Sequence, residues 1–428
     1  MAPGASFADR ASNHQLPGGA RLAVLANPHA PTVTVAGTML AGPALAADGR
    51  FAVPGLVAAM LDRGTVNQSR IELARELEDH GLQLVVRASA STPTIVSFSA
   101  QGLAEETPRL VRLLAEVLRR PSFPAEELDK LREQVLGSLA REREETSARA
   151  FAALTRGLYP EGHPLHRRPI EVREREVRSL VRDELKAFHA AVYGPSTLVL
   201  AVVGDVEAAR VAALFEAELA GWDGAEEPSI TDVEDGAPDS VEERIQIPDR
   251  PNIDVFLGHR GRLLRGDPGY PAAVLANSCL GQSTLTSRLG VAVRDGAGLT
   301  YGIYSRFFST LHVPGPWATA LGVSADNLER AVELSREVIA KYVTEGPTED
   351  ELADERSALS GAYRVGLATN SGVARELVTA LTADEPIGRL DYFPEQILAV
   401  GRDEVIGSIR THLHPEQSMV TAAGDFEG

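Results

Sequence analysis

Alternating and helix-periodic apolar positions predict a chain that mixes β-strands with α-helices. The segments Arg21 to Leu25 and Thr32 to Leu40 carry β-branched alternation around a proline-marked turn, which predicts a β-hairpin. Gln83 to Ala88 and Thr94 to Ser99 predict a second antiparallel pair of strands. The continuous apolar run from Thr197 to Val203 predicts a buried strand.

Helical signals group around these strands. The segment from Val53 to Arg63 predicts a short helix, with Pro54 in its first turn and Gly64 just past its end. Leu103 to Leu118 predicts a longer amphipathic helix, and another helix begins after Pro124 with acidic residues in its first turn. This arrangement is typical of an α+β sandwich, in which helices pack on one face of a mostly antiparallel sheet.

Two internal matches indicate that the sandwich is made twice. The segment from Arg182 to Asp205 aligns without gaps with the segment from Arg402 to Asp425; both begin Arg-Asp-Glu and end Gly-Asp. The segments that begin at Ser69 and Ser287 share the order Ser-Arg, helix, Gly-Leu and strand. We therefore expect two duplicated α+β sandwich domains, residues 1–222 and 242–428.

Composition indicates a linker between the two predicted domains and excludes several classes of protein and site. The segment between the two predicted domains, residues 223–241, is acidic and rich in Gly, Pro and Ser, which predicts a linker. The formal net charge of −18 argues against a nucleic-acid-binding protein. The single cysteine, Cys279, excludes an internal disulfide and a multi-cysteine zinc site. The chain shows no apolar run of ~18 residues and no signal-peptide core, so we expect a cytoplasmic protein that does not bind membranes.

Two strings, GLVAAMLDRGT from Gly55 and SRLGVAVRDGAGLTYGIYS from Ser287, give the chain a family resemblance. Together with the doubled Gly-Asp strand end, they resemble the pitrilysin-type zinc peptidases of family M16. That family includes mitochondrial processing peptidase and the core proteins of respiratory complex III. The resemblance covers nearly the whole chain and implies a pitrilysin-like fold. Active members carry His-x-x-Glu-His on the first helix and a distant Glu as the third zinc ligand.

This zinc motif is degenerate here. In the family, two His at i and i+4 lie on one helix face and share the zinc, while the Glu activates the bound water. Alignment on the Met-Leu-x-x-Gly-Thr that follows the motif places Gly55 and Ala59 at the two His positions. Ala58 falls at the Glu position, and the third ligand falls near Gly137. None of these residues can bind zinc or move a proton, so the resemblance implies no zinc and no other cofactor in this chain.

Two histidine pairs are the remaining candidates for a metal site. His163 and His166 lie in a proline-flanked loop without a carboxylate suited to complete a site. His412 and His414 lie beside the turn before the last predicted strand. We expect both pairs to be solvated loop histidines.

The second half of the chain carries another feature of the family, which the first half lacks. Ser287 to Arg294 predicts a helix that ends at Arg294, and a glycine-rich turn then leads into a strand with Tyr301 near its start. In the family, this Arg and Tyr face the zinc helix and hydrogen-bond the substrate backbone, so the resemblance assigns substrate binding to Arg294 and Tyr301. The repeat-equivalent positions in the first half hold Glu76 and Gln83.

A substrate pair without a zinc motif matches the division of labour in the family's two-subunit enzymes. We therefore expect a proteolytically inactive subunit that binds peptide substrate and completes the chamber of a zinc-bearing homologue in a heterodimer. The zinc is expected in that partner, and the chain alone is not expected to hydrolyse peptides. Two alternatives stay open: a structural or assembly protein like the complex III core proteins, and a peptidase with an unrecognised site.

Overall fold

Two β-sheets with associated helices form the framework of the protein. The computed structural model describes residues 6–46, 49–88, 92–222 and 242–427. The strands in these residues are β1 (Ala11–Gln15), β2 (Arg21–Ala26), β3 (Thr32–Leu40), β4 (Gln83–Ala88), β5 (Ile95–Leu103), β6 (Val199–Gly204), β7 (Glu242–Gln246), β8 (Asn252–His259), β9 (Ile303–Phe307), β10 (Trp317–Ser324) and β11 (Met419–Gly424). The α-helices are α1 (Phe7–Arg10), α2 (Ala52–Met60), α3 (Arg70–Asp79), α4 (Thr107–Arg119), α5 (Ala125–Glu142), α6 (Thr146–Leu158), α7 (Ile170–Ser179), α8 (Arg182–Val192), α9 (Ala208–Leu219), α10 (Tyr270–Asn277), α11 (Leu328–Glu345), α12 (Glu349–Gly366), α13 (Asn370–Thr382), α14 (Arg389–Ala399) and α15 (Arg402–His412). The predicted linker at 223–241 lies outside the described residues.

The first sheet has the strand order β1-β2-β6-β3-β5-β4; β2 and β6 run parallel and the other neighbours antiparallel. β6 lies between β2 and β3, with Val202 opposite Val24 on one side and Val35 on the other. The predicted hairpin of Arg21 to Leu25 with Thr32 to Leu40 is therefore wrong, although both segments are strands. All six residues of β6 are buried, and a strand that is apolar on both faces belongs in the middle of a sheet.

The second sheet has the order β7-β11-β8-β10-β9 and repeats the pairing of the first sheet without β1. Its β7 and β11 run parallel, as β2 and β6 do, and its other pairs are antiparallel. The segment from Arg182 to Asp205 contains α8 and β6, and the segment from Arg402 to Asp425 contains α15 and β11. The predicted duplication and the α+β class are confirmed.

The shared Arg-Asp-Glu start of the repeat has the same contacts in both copies. Nε of Arg182 donates to the carbonyl oxygen of Phe123 at 2.6 Å, and Nε of Arg402 donates to that of Pro347 at 2.8 Å. In each copy the glutamate accepts a hydrogen bond from the backbone N–H three residues earlier. The tripeptide therefore anchors and caps the start of the equivalent helix in each copy, α8 and α15.

The compact units of the chain do not coincide with its two sequence halves. One unit takes residues 6–136, 173–222 and 363–392, and the other takes residues 137–172, 242–362 and 393–427. Each half thus contributes one helical segment to the sheet of the other half. The physical reason is that both faces of each sheet carry apolar side chains, and both faces need a cover.

Helix α13 is the segment that the second half contributes to the first sheet. Its Leu377 is fully buried in one apolar cluster with Leu25 of β2 and Val203 of β6. The buried hydroxyl of Thr382 also lies 2.8 Å from the hydroxyl of Thr38 on β3. The sequence periodicity did not predict this packing.

Helix α6 is the reciprocal segment, from the first half to the second sheet. Its Leu154 is fully buried in a cluster with Phe256 of β8. The hydroxyl of Thr421 on β11 donates to the carbonyl oxygen of Ala150 on α6 at 2.8 Å. Each contributed helix is therefore joined to its sheet by both apolar packing and a buried hydrogen bond.

Two predicted helix boundaries move. α2 ends at Met60 rather than at Arg63. α4 begins at Thr107 because β5 continues to Leu103. The helix predicted after Pro124 is present as α5. No helix in the described residues is both long and apolar enough to cross a membrane, and the cytoplasmic location stays a prediction.

Candidate functional site

The three zinc-motif positions on α2 carry no polar side chain. Gly55 and Ala59, one helical turn apart, are partly exposed, while Ala58 is buried. Their neighbours Val53 and Leu56 are buried as part of the predicted apolar stripe. A Cβ placed on Gly55 would have open space around it. The helix therefore has room for a side chain at Gly55 and lacks only the chemistry.

Gly137 on α5 gives the same result. The residue is partly exposed, and a Cβ placed there would meet only the guanidinium of Arg141, at 3.9 Å. Packing does not force glycine at this position, so the missing ligand is a matter of residue type. Across the described residues, no cluster of three or more His, Cys, Asp or Glu could hold a metal ion. The residues present do not fit a zinc ion.

Arg63 lies three residues beyond the end of α2 and hydrogen-bonds back to that helix. Nε of Arg63 donates to the carbonyl oxygen of Ala59 at 3.1 Å, and Nη2 donates to Gln134 on α5 at 2.8 Å. Glu127 on α5 accepts from Arg63 and, at 2.7 Å, from Lys130. The hydrogen bond from Lys130 is the largest cause that lowers the pKa of Glu127. Sequence reasoning missed this cluster, because Arg63 is 64 residues from Glu127 and 71 residues from Gln134.

Arg294 lies near the end of a π-helical segment, Gly290–Gly296, and not at the end of an α-helix. Its Nε donates to the backbone carbonyl oxygen of Tyr301 at 3.2 Å, and its Nη1 pairs with Asp295 at 2.6 Å. Nη2 has no acceptor among the described residues. Arg294 thus holds the following loop and keeps one nitrogen for a further carbonyl oxygen.

Tyr301 lies in a loop and not early in a strand, because β9 begins only at Ile303. Its side chain is 96% exposed. The backbone of the loop is fixed: Gly302 N–H donates to the hydroxyl of Thr300 at 3.1 Å, and that hydroxyl donates to the Gly322 carbonyl oxygen at 2.7 Å. The phenol therefore projects into solvent from an ordered loop. A buried sheet tyrosine would show the opposite exposure.

The repeat-equivalent residues in the first unit are part of its own structure. Glu76 accepts hydrogen bonds from Arg109, at 3.0 Å, and from Arg112. Gln83 accepts a hydrogen bond from Gln101 on the adjacent strand at 2.7 Å. The structure thus brings Arg294 together with Tyr301 and places no such pair at the equivalent positions.

The two histidine pairs are less exposed than the sequence predicted: His163 is buried, and His166, His412 and His414 are partly exposed. His163 is buried and stacks on Tyr159 with ring centroids 4.3 Å apart, and Nδ1 of His166 lies 2.8 Å from the Tyr159 carbonyl oxygen. The backbone N–H of His414 donates to Nε2 of the buried His259 at 3.1 Å. Aromatic stacking and backbone hydrogen bonds give His163, His166 and His414 a structural role.

Comparison with known proteins follows the two halves of the chain. A model of the insulinase family, peptidase family M16, matches residues 22–166, and a model described as the peptidase M16 inactive domain matches residues 179–359. An uncharacterized zinc protease, YmxG of Bacillus subtilis, is 24% identical over 78% of this chain and 80% of its own. A non-peptidase homolog, YmxG of Helicobacter pylori, is 22% identical over 75% of this chain and 72% of its own. The crystal structure of a peptidase M16 inactive domain from Pseudomonas fluorescens has a TM-score of 0.87 at 25% identity, covering 97% of this chain and 98% of that chain.

Proposed function

The chain belongs to the M16 peptidase family as an inactive-type member, and we propose that it is the peptide-binding, non-catalytic subunit of a zinc peptidase. The proposal has two parts. The chain binds the backbone of a peptide through Arg294 and Tyr301, and a zinc-bearing homologue supplies the catalytic metal in a heterodimer. Neither part follows from family membership alone.

The exposure of Tyr301 is the observation that carries the proposal. A tyrosine that is 96% exposed, on a loop ordered by Thr300 and Arg294, has no packing role of its own. A phenol O–H and a guanidinium N–H are good donors to peptide carbonyl oxygens and to the oxyanion that forms during hydrolysis. The loop therefore supports a role in binding peptide.

The need for a partner follows from the chemistry that the chain lacks. Gly55, Ala58, Ala59 and Gly137 supply no ligand and no general base, so donors aimed at an oxyanion have no reaction to serve within this chain. A homologue with an intact His-x-x-Glu-His motif would supply both groups. The mechanism of this subunit is then limited to binding and orienting the peptide and donating hydrogen bonds.

The test is reconstitution with a zinc-bearing M16 chain from the same source, with cleavage of a quenched fluorescent peptide as the readout. Tyr301→Phe removes one donor and is expected to lower kcat about 10–1000-fold if that donor serves the transition state. The control is Tyr304→Phe, which makes the same change on β9, where the ring is 37% exposed. Both variants are expected to form the complex normally.

Arg294→Ala is expected to lower kcat and peptide affinity together, because it removes a charged donor and releases the Tyr301 loop. Arg330→Ala, on α11, is its control; there the arginine makes an exposed pair with Glu333. Full turnover with both Arg294 and Tyr301 replaced would refute the binding role and favour the assembly-protein alternative. Activity of the purified chain alone that survives a chelator would instead favour an unrecognised peptidase site.

A further inference from the structure

A cleft in the second unit lies apart from the Tyr301 loop. It has a volume of about 740 Å³ and opens between the start of α10 and the helices α14 and α15. Pro271, Ala399 and Val400 give it an apolar wall. The α15 side is polar, with Ser408 and His412 one helical turn apart. Nothing in the proposed peptide-binding role uses this cleft.

Two residues that line this cleft each carry a buried polar atom without the partner that such atoms normally have. Ser408 is 8% exposed, and its hydroxyl oxygen is buried without a hydrogen-bond partner among the described residues. Nδ1 of His412 is buried and unpaired in the same way. Because buried polar atoms in folded proteins are nearly always hydrogen-bonded, the two atoms indicate a site for a ligand with donor groups.

The charges around the cleft have one sign. The carboxylates of Asp267 and Glu404 line it, and its lining in the described chain includes no lysine or arginine. Burial lowers the pKa of His412, against the opposing field of Asp267, which favours the neutral imidazole, and a neutral imidazole can offer a ring nitrogen as an acceptor. A cation suits these groups, and an anion does not.

The internal repeat shows that the cleft belongs to the second copy. At an offset of 220 residues, Ser408 corresponds to Phe188 and His412 to Val192. Phe188 is buried and lies edge-on to Tyr193, with ring centroids 6.5 Å apart. The second copy therefore has a hydroxyl where the first has an aromatic ring, and gains space and polarity at the same position.

We propose that this cleft binds an ammonium or guanidinium group on an apolar stem, as carried by a lysine of a peptide or by a free diamine. Asp267 and Glu404 attract the cation. Ser408 and His412 accept its hydrogen bonds, and the stem packs on the proline and alanine wall. This site needs neither the zinc-bearing partner nor the Tyr301 loop, so its test is independent of the proposed function.

Calorimetry on the full chain tests the site with three probes: Nα-acetyl-lysine methylamide, which keeps its ε-ammonium group, the uncharged Nα-acetyl-norleucine methylamide, and 1,5-diaminopentane. We expect the lysine amide to bind at least about tenfold more tightly than the uncharged norleucine amide, and to shift the His412 ring signals in NMR. If the lysine amide binds more tightly than the diamine, a peptide is the source of the cation. If the diamine binds more tightly, the source is a free amine. Equal binding of lysine and norleucine amides, or no binding of any cation at about 10 mM, would overturn the proposal.

Two variants and a control locate the binding. Ser408→Phe introduces the side chain of the first copy and is expected to abolish binding. Asp267→Asn keeps an acceptor for the Leu264 N–H, which Asp267 binds at 2.8 Å, and is expected to weaken the lysine amide about tenfold. Asp326→Asn, at an exposed position outside the cleft, is expected to change nothing. Unchanged binding in both cleft variants would place the ligand elsewhere and refute the site.

Discussion

Replacing Leu377 on α13 by alanine tests whether a helix of the second half stabilises the first sheet. The side chain is fully buried against β2 and β6, and the change removes three carbons. Burial of each carbon contributes about 0.8 kcal/mol, and the remaining cavity adds to the loss, so we expect about 3 kcal/mol. Because about 1.4 kcal/mol changes an equilibrium constant tenfold, this loss makes local opening of the first sheet on the order of 100 times more frequent.

Amide hydrogen exchange read by mass spectrometry is the appropriate assay, because a chain with two units has no single unfolding free energy. Leu377→Ala is expected to accelerate exchange in β2, β3 and β6, more than 150 residues away in sequence. Val365→Ala, at a 74% exposed position on α12, is the control and is expected to change stability by less than about 0.5 kcal/mol. The reciprocal variant, Leu154→Ala on α6, is expected to accelerate exchange in β8 and β11 instead. If Leu377→Ala accelerated amide exchange only in the second sheet, or in neither sheet, α13 would not stabilise the first sheet and the reasoning would be refuted.

Three further outcomes are expected. Residues 1–222 expressed alone are expected to lack cooperative thermal unfolding, because the α13-covered face of the sheet is left bare, and coexpression with residues 242–428 is expected to restore it; a cooperative isolated half would contradict this. Elemental analysis of the untagged chain is expected to find far less than one zinc per chain, and stoichiometric zinc bound at the α2 positions would end the inactive-subunit proposal. Burial lowers the pKa of His259 to about 4, so the folded state loses stability as the pH falls from about 6.5 toward 4, by up to about 3 kcal/mol. Amide hydrogen exchange of β8, corrected for the intrinsic pH dependence of exchange, is expected to show this loss, with a smaller pH dependence in His259→Gln; an unaltered pH dependence in His259→Gln would contradict the assignment.

Local sequence located the predicted strands and helices of the first sheet, because the side-chain period of each is written in neighbouring residues. It misplaced the helix end at Arg294 and the strand start near Tyr301. It also determined the duplication, since the Arg-Asp-Glu start and the Gly-Asp end return at one offset. The lost zinc chemistry is likewise a property of residue type: glycine and alanine have no ligand atoms in any fold. The periodicity and the duplication were sufficient for the α+β class, and the segments from Gly55 and Ser287, with the doubled Gly-Asp strand end, carried the resemblance to the family.

Tertiary structure alone decided which partner covers each apolar face. The period of a strand shows that a face is buried, but not that a helix from the other half of the chain buries it. The packing of α6 and α13 on the sheet of the other half, and the central position of β6, were therefore not predictable from local pattern. The same limit applies to the sites. The exposure of Tyr301 depends on the hydrogen bonds of Thr300, and the cleft beside Ser408 depends on α10 and α14. Local sequence encodes preference for burial, and only the packed chain decides what lies opposite.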